Sequence, residues 1–231
     1  MGCDALNLTP DYILTILPLL LKGTLETLRL FSLTLLMSLP LGLLVSFGSM
    51  SRIWPLRYLT RVYVWLFRGT PLMLQLFFVY YGLPLMTNLT VRPDRLTAAI
   101  ITFVLNYAAY FSEIFRAGIQ SIDHGQYEAA QTLGFTRWQT MRLVIIPQTI
   151  RRIIPPISNE TITLVKDTAL ATAIAVPELI KAAKDTANRD VNPTSYLVAA
   201  MIYLVLTFVL TYISGRLEKR FSQHERKVVG A

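Results

Sequence analysis

Polar side chains inside apolar stretches are the residues of this chain that could do chemistry. Asn106, Tyr110 and Glu113 recur at helical spacing and therefore share one face of an apolar segment. Polar and charged groups are costly inside a membrane and indicate function by default, so this face could line a polar route across a bilayer. Because Glu113 stands three residues before Arg116, internal neutralisation of the two charges is an equally good interpretation.

A second polar face lies farther along the chain, where Glu160, Thr163 and Asp167 recur at helical spacing. It could line the same route, with its carboxylates available to a cationic group of a solute. The alternative is again structural, because Lys166 adjoins Asp167 and can neutralise it.

Arg68, Thr70 and Gln75 complete the candidate pathway, and they surround a helix-distorting pair, Gly69 and Pro71. Proline removes a backbone hydrogen bond, and carbonyls freed next to a cavity can bind polar groups. The simpler interpretation is a gentle kink, with the arginine side chain extended to the cytoplasmic interface.

The elements that must position these residues are predicted to be membrane-spanning helices. The chain has 231 residues, of which 53% are hydrophobic, and a mean hydropathy of +0.48. Since a bilayer core needs about 20 apolar residues per helix, five spans fit best, at about 24–47, 61–86, 96–119, within 141–179, and 196–217. The fourth stretch allows either one long broken helix or one span plus a re-entrant piece. The predicted class is an all-α integral membrane protein.

Basic residues give the orientation of the spans, because Lys and Arg concentrate in short cytoplasmic loops. They cluster after the first span, around residues 137–152 and in the tail, whereas the loops assigned to the outside carry Arg92, Arg95, Lys181, Lys184 and Arg189. We therefore predict an external N-terminal segment (1–23), a transmembrane domain (24–217) and a cytoplasmic tail (218–231). The net charge of +8 can also indicate nucleic acid binding, but the apolar spans take precedence.

Residues 125–147 form a polar stretch rich in small residues within this apolar chain. The stretch resembles the cytoplasmic coupling segment, or EAA motif, of permease subunits in bacterial ABC importers. That family's spacing is kept by Glu128-Ala129-Ala130, Gly134 and Pro147, while Val144 and Ile146 depart mildly from its pattern.

Other motifs resemble the same family and occur in its order, over about residues 20 to 220. They are Phe67-Arg68-Gly69-Thr70-Pro71-Leu72, the stretch 108–121, Gly125-Gln126, Pro147-Gln148, Asn159-Glu160 and Leu164-Val165-Lys166-Asp167-Thr168. They point to the polar amino acid subfamily, the relatives of histidine, glutamine, arginine and cystine permeases. The resemblance implies the type I ABC importer permease fold, with about five transmembrane helices and a cytoplasmic coupling helix.

The resemblance also assigns a role to the segment at about 125–140, which would dock into an ATPase. Its candidate coupling residues are Gly125, Gln126, Glu128, Ala129, Ala130 and Gly134. The small residues among them would let a partner backbone approach closely, and Glu128 offers a charge. Gly125 and Gly134 are expected to bracket a helix of about two turns, since glycine commonly stands just past a helix end.

The function implied by the resemblance is ATP-driven import of a zwitterionic polar amino acid across the bacterial cytoplasmic membrane. The chain itself carries no Gly-x-x-x-x-Gly-Lys-Ser/Thr pattern, so we predict no enzymatic activity, no metal and no cofactor of its own. ATP and Mg²⁺ would be bound by two copies of a separate ATPase. The other implied partners are a second copy or a homologous permease, an external amino-acid-binding protein and membrane lipid, with no nucleic acid.

Two other function classes are open to a chain with these spans. A secondary transporter driven by an ion gradient would need internal repeats and would leave the coupling segment without a task. A membrane scaffold or sensor would leave the polar faces unexplained. Transport that disappears without an ATPase distinguishes the importer from both.

Overall fold

In this computed structural model every regular element of the described chain is a helix. Residues 8–87 and 93–229 are described, with side chains up to residue 221. The α-helices are α1 (Pro10–Ser49), α2 (Trp54–Gly69), α3 (Leu72–Phe77), α4 (Leu83–Met86), α5 (Arg95–Gln120), α6 (His124–Thr132), α7 (Arg137–Gln139), α8 (Ile146–Asp167), α9 (Leu179–Asp190) and α10 (Thr194–Val229). π-helical turns at Phe78–Gly82 and Thr140–Ile145 and a 3-10 turn at Thr168–Ile174 connect several of them. The predicted all-α class is confirmed.

The first helix is much longer than the span predicted at 24–47. α1 has 40 residues, a length of about 60 Å, against about 30 Å for a bilayer hydrocarbon core. Pro10 stands in its first turn, where a missing N–H group removes no helical hydrogen bond. The segment predicted as an external lead-in is therefore helical from Pro10 and continuous with the span, and its residues 1–7 lie outside the described part.

The span predicted at 61–86 is divided, because the chain bends by 106° between α2 and the run formed by α3 and α4. Thr70 has extended dihedral angles, φ −120° and ψ 146°. A residue before proline is restricted to such angles, and Pro71 has no N–H group to continue the helix. The gentle kink considered for this motif is instead a full break, with a new helix starting at Leu72.

The third predicted span, 96–119, corresponds closely to α5, which begins where Asp94 accepts a hydrogen bond from Thr97 N at 3.0 Å. α1 is its main neighbour. A Cβ atom at Gly42 would lie 2.9 Å from Ala108 O, so only glycine permits this close approach of the two helices. The core around α5 contains the buried rings of Phe103 and Phe111.

The fourth predicted stretch forms one helical run of changing pitch from Arg137 to Ile174, through α7, a π turn, α8 and a 3-10 turn. The run ends at Ala175, whose φ of 57° is left-handed. This favours the long broken helix over a span with a separate re-entrant piece.

The basic residues Lys181, Lys184 and Arg189, predicted in an external loop, lie instead on α9, and Arg92 is outside the described residues.

α9 is capped at its first end and joined to α1 at its other end. Glu178 is fully buried and accepts hydrogen bonds from Ile180 N and Lys181 N, both at 2.7 Å, which caps the helix. At the other end Tyr12 in α1 donates to Asp190 Oδ2 at 2.8 Å.

Three described helices, α1, α5 and the Thr194–Phe221 part of α10, are long and apolar enough to cross a membrane, and the bent α2–α4 pair counts as a fourth. α8 does not pass this test of length and composition, so the count of five spans stays a prediction. α10 continues as a helix to Val229, without a break at the predicted start of the tail.

Candidate functional site

The coupling segment predicted from the sequence contains a short exposed helix, α6. Asp123 Oδ1 accepts a hydrogen bond from Gly125 N at 2.6 Å at its start. The helix ends two residues before Gly134, whose φ of +79° is the left-handed conformation that favours glycine. The predicted two-turn helix, with a glycine stop, is thus present in the structure, but Gly125 lies inside its first turn and does not precede it.

The candidate coupling residues divide between two environments. Gly125, Gln126, Glu128, Ala129 and Gly134 are exposed. Ala130, by contrast, is only 3% exposed and faces its own chain. Its small side chain therefore packs within its own chain and does not belong to the exposed surface where a partner was expected to approach.

Side-chain contacts connect this segment to α8. Gln148 Nε2 donates to Gln126 Oε1 at 2.9 Å. One turn further along α8, Arg152 donates to Ser121 O, just before α6. A force applied to α6 would consequently reach α8 through hydrogen bonds as well as through the backbone.

The break between α2 and α3 is stabilised by two amide side chains. Gln75 Nε2 donates to Phe67 O at 2.9 Å, and Asn106 Nδ2 donates to the same carbonyl at 3.1 Å. The two amides also bind each other, with Asn106 Nδ2 donating to Gln75 Oε1 at 3.0 Å. In a low-dielectric environment a broken helix needs such partners for its freed carbonyls.

The break opens a cavity of about 470 Å³, which we call the bend cavity. Its lining includes seven of the nine candidate pathway residues, namely Arg68, Thr70, Asn106, Tyr110, Glu160, Thr163 and Asp167. The polar faces of α5 and α8, inferred separately from helical spacing, thus meet at one place. The cavity wall carries one guanidinium and two carboxylates, an arrangement that can bind a solute with charges of both signs.

A family model described as "Binding-protein-dependent transport system inner membrane component" matches residues 38–223. The chain belongs to this family. The permease is 40% identical over 212 residues to the L-cystine transport system permease protein TcyB of Bacillus subtilis (strain 168), covering 91% of this chain and 89% of the relative. It is 37% identical over 205 residues to the glutamine transport system permease protein GlnP of Escherichia coli (strain K12), covering 88% and 93%.

A solved structure gives the same assignment. The crystal structure of an amino acid ABC transporter with histidines contains a chain that is 33% identical, with a TM-score of 0.86, over 93% of the permease and 100% of that chain. The type I importer permease fold that the resemblance implied is confirmed, whereas the roles of individual residues rest on their geometry alone.

The remaining two candidate pathway residues lie beside the bend cavity rather than on its wall. Gln75 supports the break and faces an apolar pocket on the other side. Glu113 binds Arg116 through two hydrogen bonds of 2.6 and 2.9 Å and lies 3.7 Å from Arg68 Nη1. The structure thus shows the pairing of Glu113 with Arg116, and the pathway role of Glu113 stays a prediction.

Tyr107, which helical spacing did not single out, lines the bend cavity and donates a hydrogen bond to Asp167 Oδ2 at 2.8 Å. Its ring is 2% exposed and stands in an apolar run, where tyrosine is typical of packing. No ion pair within 4.0 Å joins Lys166 to Asp167 among the described residues, so the adjacent lysine does not neutralise the carboxylate by contact. The contact between Tyr107 and Asp167 could not be found from helical spacing, because the two residues are 60 positions apart in the sequence.

Proposed function

We propose that this permease is the membrane-spanning subunit of an ATP-driven ABC importer that translocates polar amino acids by alternating access. The observation that carries the proposal is the bend cavity, which combines one cation and two acids in a chain of the permease family. Relatives named for L-cystine and glutamine transport support the substrate class.

In this proposal the cavity recognises the two charges that every amino acid zwitterion carries. Asp167 and Glu160, both on α8, receive the ammonium group of the substrate. Arg68, across the cavity on α2, receives its carboxylate, because a guanidinium matches carboxylate geometry with paired donors. Asn106, Tyr110 and Thr163 provide neutral polar contacts between these charged ends.

Energy enters at α6, which docks on a separate ATPase subunit that binds ATP and Mg²⁺. The exposed face formed by Gly125, Gln126, Glu128, Ala129 and Gly134 supports this docking. Two ATPase copies act on two permeases, and the permease itself holds no cofactor. The Gln126–Gln148 hydrogen bond then transmits the movement of α6 to α8, which carries both acids of the cavity.

The bend cavity reaches the surface of the single chain, and this position indicates further partners. Thr163 is on the cavity wall yet exposed at the surface of the single chain, so a second copy or a homologous permease encloses the route. An extracytoplasmic binding protein delivers the amino acid. The permease lies in the bacterial cytoplasmic membrane with its N-terminus outside and its C-terminus in the cytoplasm, as the distribution of basic residues supports.

Reconstitution tests this function directly. Proteoliposomes containing the permease and the ATPase encoded beside it receive binding protein outside and ATP inside, and uptake of a panel of labelled amino acids is measured. We expect ATP-dependent uptake of one or two polar amino acids, and none when the P-loop lysine of the ATPase is replaced. Gradient-driven uptake that is indifferent to ATP would contradict the proposal and favour a secondary transporter.

A further inference from the structure

Three cavities of the permease meet at the same two side chains. Besides the bend cavity, a groove of about 550 Å³ lies between α2 and α5 and is lined by Arg61, Trp65, Glu113 and Arg116, among others. A third groove, of about 480 Å³, lies between α5 and α8 and extends to Ser121 and Arg152. Arg68 and Tyr110 are shared by all three linings. They therefore lie where the bend cavity and both grooves adjoin.

The guanidinium of Arg68 is held in this partition by two contacts. Its Cζ atom lies 5.2 Å from the centroid of the Tyr110 ring, a cation–π distance, and Nη1 lies 3.7 Å from Glu113 Oε2. A separation of 3.7 Å is longer than a hydrogen bond, and the Arg68 side chain is 43% exposed. Contacts of this strength and exposure hold a side chain without immobilising it.

Glu113, in contrast, is firmly fixed. Two hydrogen bonds join it to Arg116, which also donates to Gln120 Oε1 at 2.7 Å. The carboxylate is thus an anchor along α5, and the arginine on α2 is the member of the pair that can move.

The α5–α8 groove leads from the bend cavity towards the coupling segment. Along α5 the distance from Tyr107 to Ser121 is 14 residues, or about 20 Å. Ser121 lines the α5–α8 groove and accepts the hydrogen bond from Arg152, just before α6. Under the proposed function, on which this step rests, the α6 end of the groove faces the cytoplasm.

We propose that Arg68 is the cytoplasmic gate of the transport route and that Glu113 is its positioning residue. With the guanidinium over Tyr110 and beside Glu113, the bend cavity is separated from the grooves that lead to the cytoplasm. When Arg68 swings away from Glu113, the three spaces join and the substrate leaves.

The same geometry makes the gate responsive to the substrate. A substrate carboxylate in the bend cavity and the carboxylate of Glu113 compete for one guanidinium. Binding of an amino acid therefore weakens the Arg68–Glu113 contact, and its departure lets the contact form again.

Cysteine accessibility tests the gate without relying on amino acid transport. The reporter is Thr163→Cys on the wall of the bend cavity, in a Cys3→Ser background, in inside-out vesicles containing the complete transporter. A membrane-impermeant methanethiosulfonate reagent is applied from the cytoplasmic side. We expect Arg68→Ala to accelerate labelling about fivefold, the effect of losing one exposed ion pair and one cation–π contact.

Two further variants separate the gate from general damage. Glu113→Gln should accelerate labelling less than Arg68→Ala, because the Tyr110 contact remains. Arg57 lies about three turns before Arg68 on α2 and lines none of the three cavities. The control variant Arg57→Ala should therefore be labelled at the parent rate. Monodisperse elution in detergent shows for each variant that the fold is retained.

The outcomes are distinct for the gate and for the transport function. Parent-rate labelling in folded Arg68→Ala and Glu113→Gln variants overturns the gate, and so does acceleration seen only from the external side. Suppose that Arg68→Ala accelerates labelling from the cytoplasmic side while the parent transporter takes up no amino acid. That result supports the gate and overturns the proposed substrate class.

Discussion

The hydroxyl group of Tyr107 donates a 2.8 Å hydrogen bond to the carboxylate of Asp167, joining α5 to the end of α8 inside the bend cavity. Both residues belong to the cavity wall, and the tyrosine ring is buried. The hydrogen bond fixes the position of an acid that, in the proposed function, receives the ammonium group of the substrate. An acid held in place in this way recognises a cation without first being reoriented.

Replacement of Tyr107 by phenylalanine removes this hydrogen bond and keeps the ring. Hydrogen bonds to charged groups contribute about 1.5–3 kcal/mol, so we expect ATP-dependent uptake to fall about tenfold or more. Uptake in proteoliposomes is the measurement, and the melting temperature in detergent is recorded with it, because loss of the hydrogen bond also lowers stability. Tyr58→Phe, which alters an exposed tyrosine on α2, is the matched control. Uptake at the parent rate in Tyr107→Phe would show that the position of Asp167 does not limit transport.

Replacement of Asn106 by alanine should destabilise the break between α2 and α3. Asn106 and Gln75 share the carbonyl of Phe67 as acceptor, and an unsatisfied buried polar group costs about 1–3 kcal/mol. Because the two amides also bind each other, the effects of Asn106→Ala and Gln75→Ala on the melting temperature should not add. Strictly additive effects in the double variant would show that the two amides support the break independently.

Replacement of Gly134 by leucine should uncouple ATP hydrolysis from uptake. The left-handed φ of +79° costs a residue with a side chain about 1–2 kcal/mol, although no atom lies within 4 Å of the added Cβ. Gly134→Asn, which tolerates this conformation better, should retain more coupling. Gly215→Leu is the control. It also adds a side chain where no atom lies within 4 Å, but Gly215 stands in a helix, so this variant is expected to behave like the parent. The ratio of amino acid transported to ATP hydrolysed is the measurement, and an unchanged ratio in Gly134→Leu would contradict the coupling role.

Reversal of the charge on Glu128 should also uncouple the permease from its ATPase. The side chain is exposed on α6, and substitutions at such positions usually change stability by no more than about 0.5 kcal/mol. We therefore expect Glu128→Lys to insert into the membrane normally, to bind the ATPase more weakly and to lose coupled uptake, with Glu128→Gln intermediate. Copurification of the ATPase with the permease measures this directly. Normal copurification and normal uptake in Glu128→Lys would refute the assignment of the docking face.

Sequence patterns predicted those elements whose ends and faces are determined locally. α5 follows an apolar run with a capping aspartate before it, and α6 ends near a glycine with the expected conformation. Helical spacing and the family resemblance together also selected Arg68, Glu160 and Asp167, which the fold brings to one cavity. These features depend on neighbours within a few turns.

Features that depend on contacts between distant residues could not be predicted. Pro71 accounts for the break at Thr70, but the break is also stabilised by Asn106, which is 39 positions from its acceptor at Phe67. Ala130 looks like a contact residue in the sequence and is buried only because α6 packs on the turn at Thr140–Ile145. In α9, polar residues suggested a loop because the pattern does not show that Glu178 is buried as a cap.

The polarity of α8 has a consequence for how the chain is inserted during synthesis. Its 22 residues include the charged side chains of Arg151, Arg152, Glu160, Lys166 and Asp167, too many for the segment to leave the translocon into lipid alone. In the folded protein α8 contacts α5 and α10, two of the helices that are apolar enough to cross the bilayer. A ribosome makes α5 before α8 and α10 after it, so we expect α8 to enter the bilayer by packing against these apolar neighbours rather than on its own.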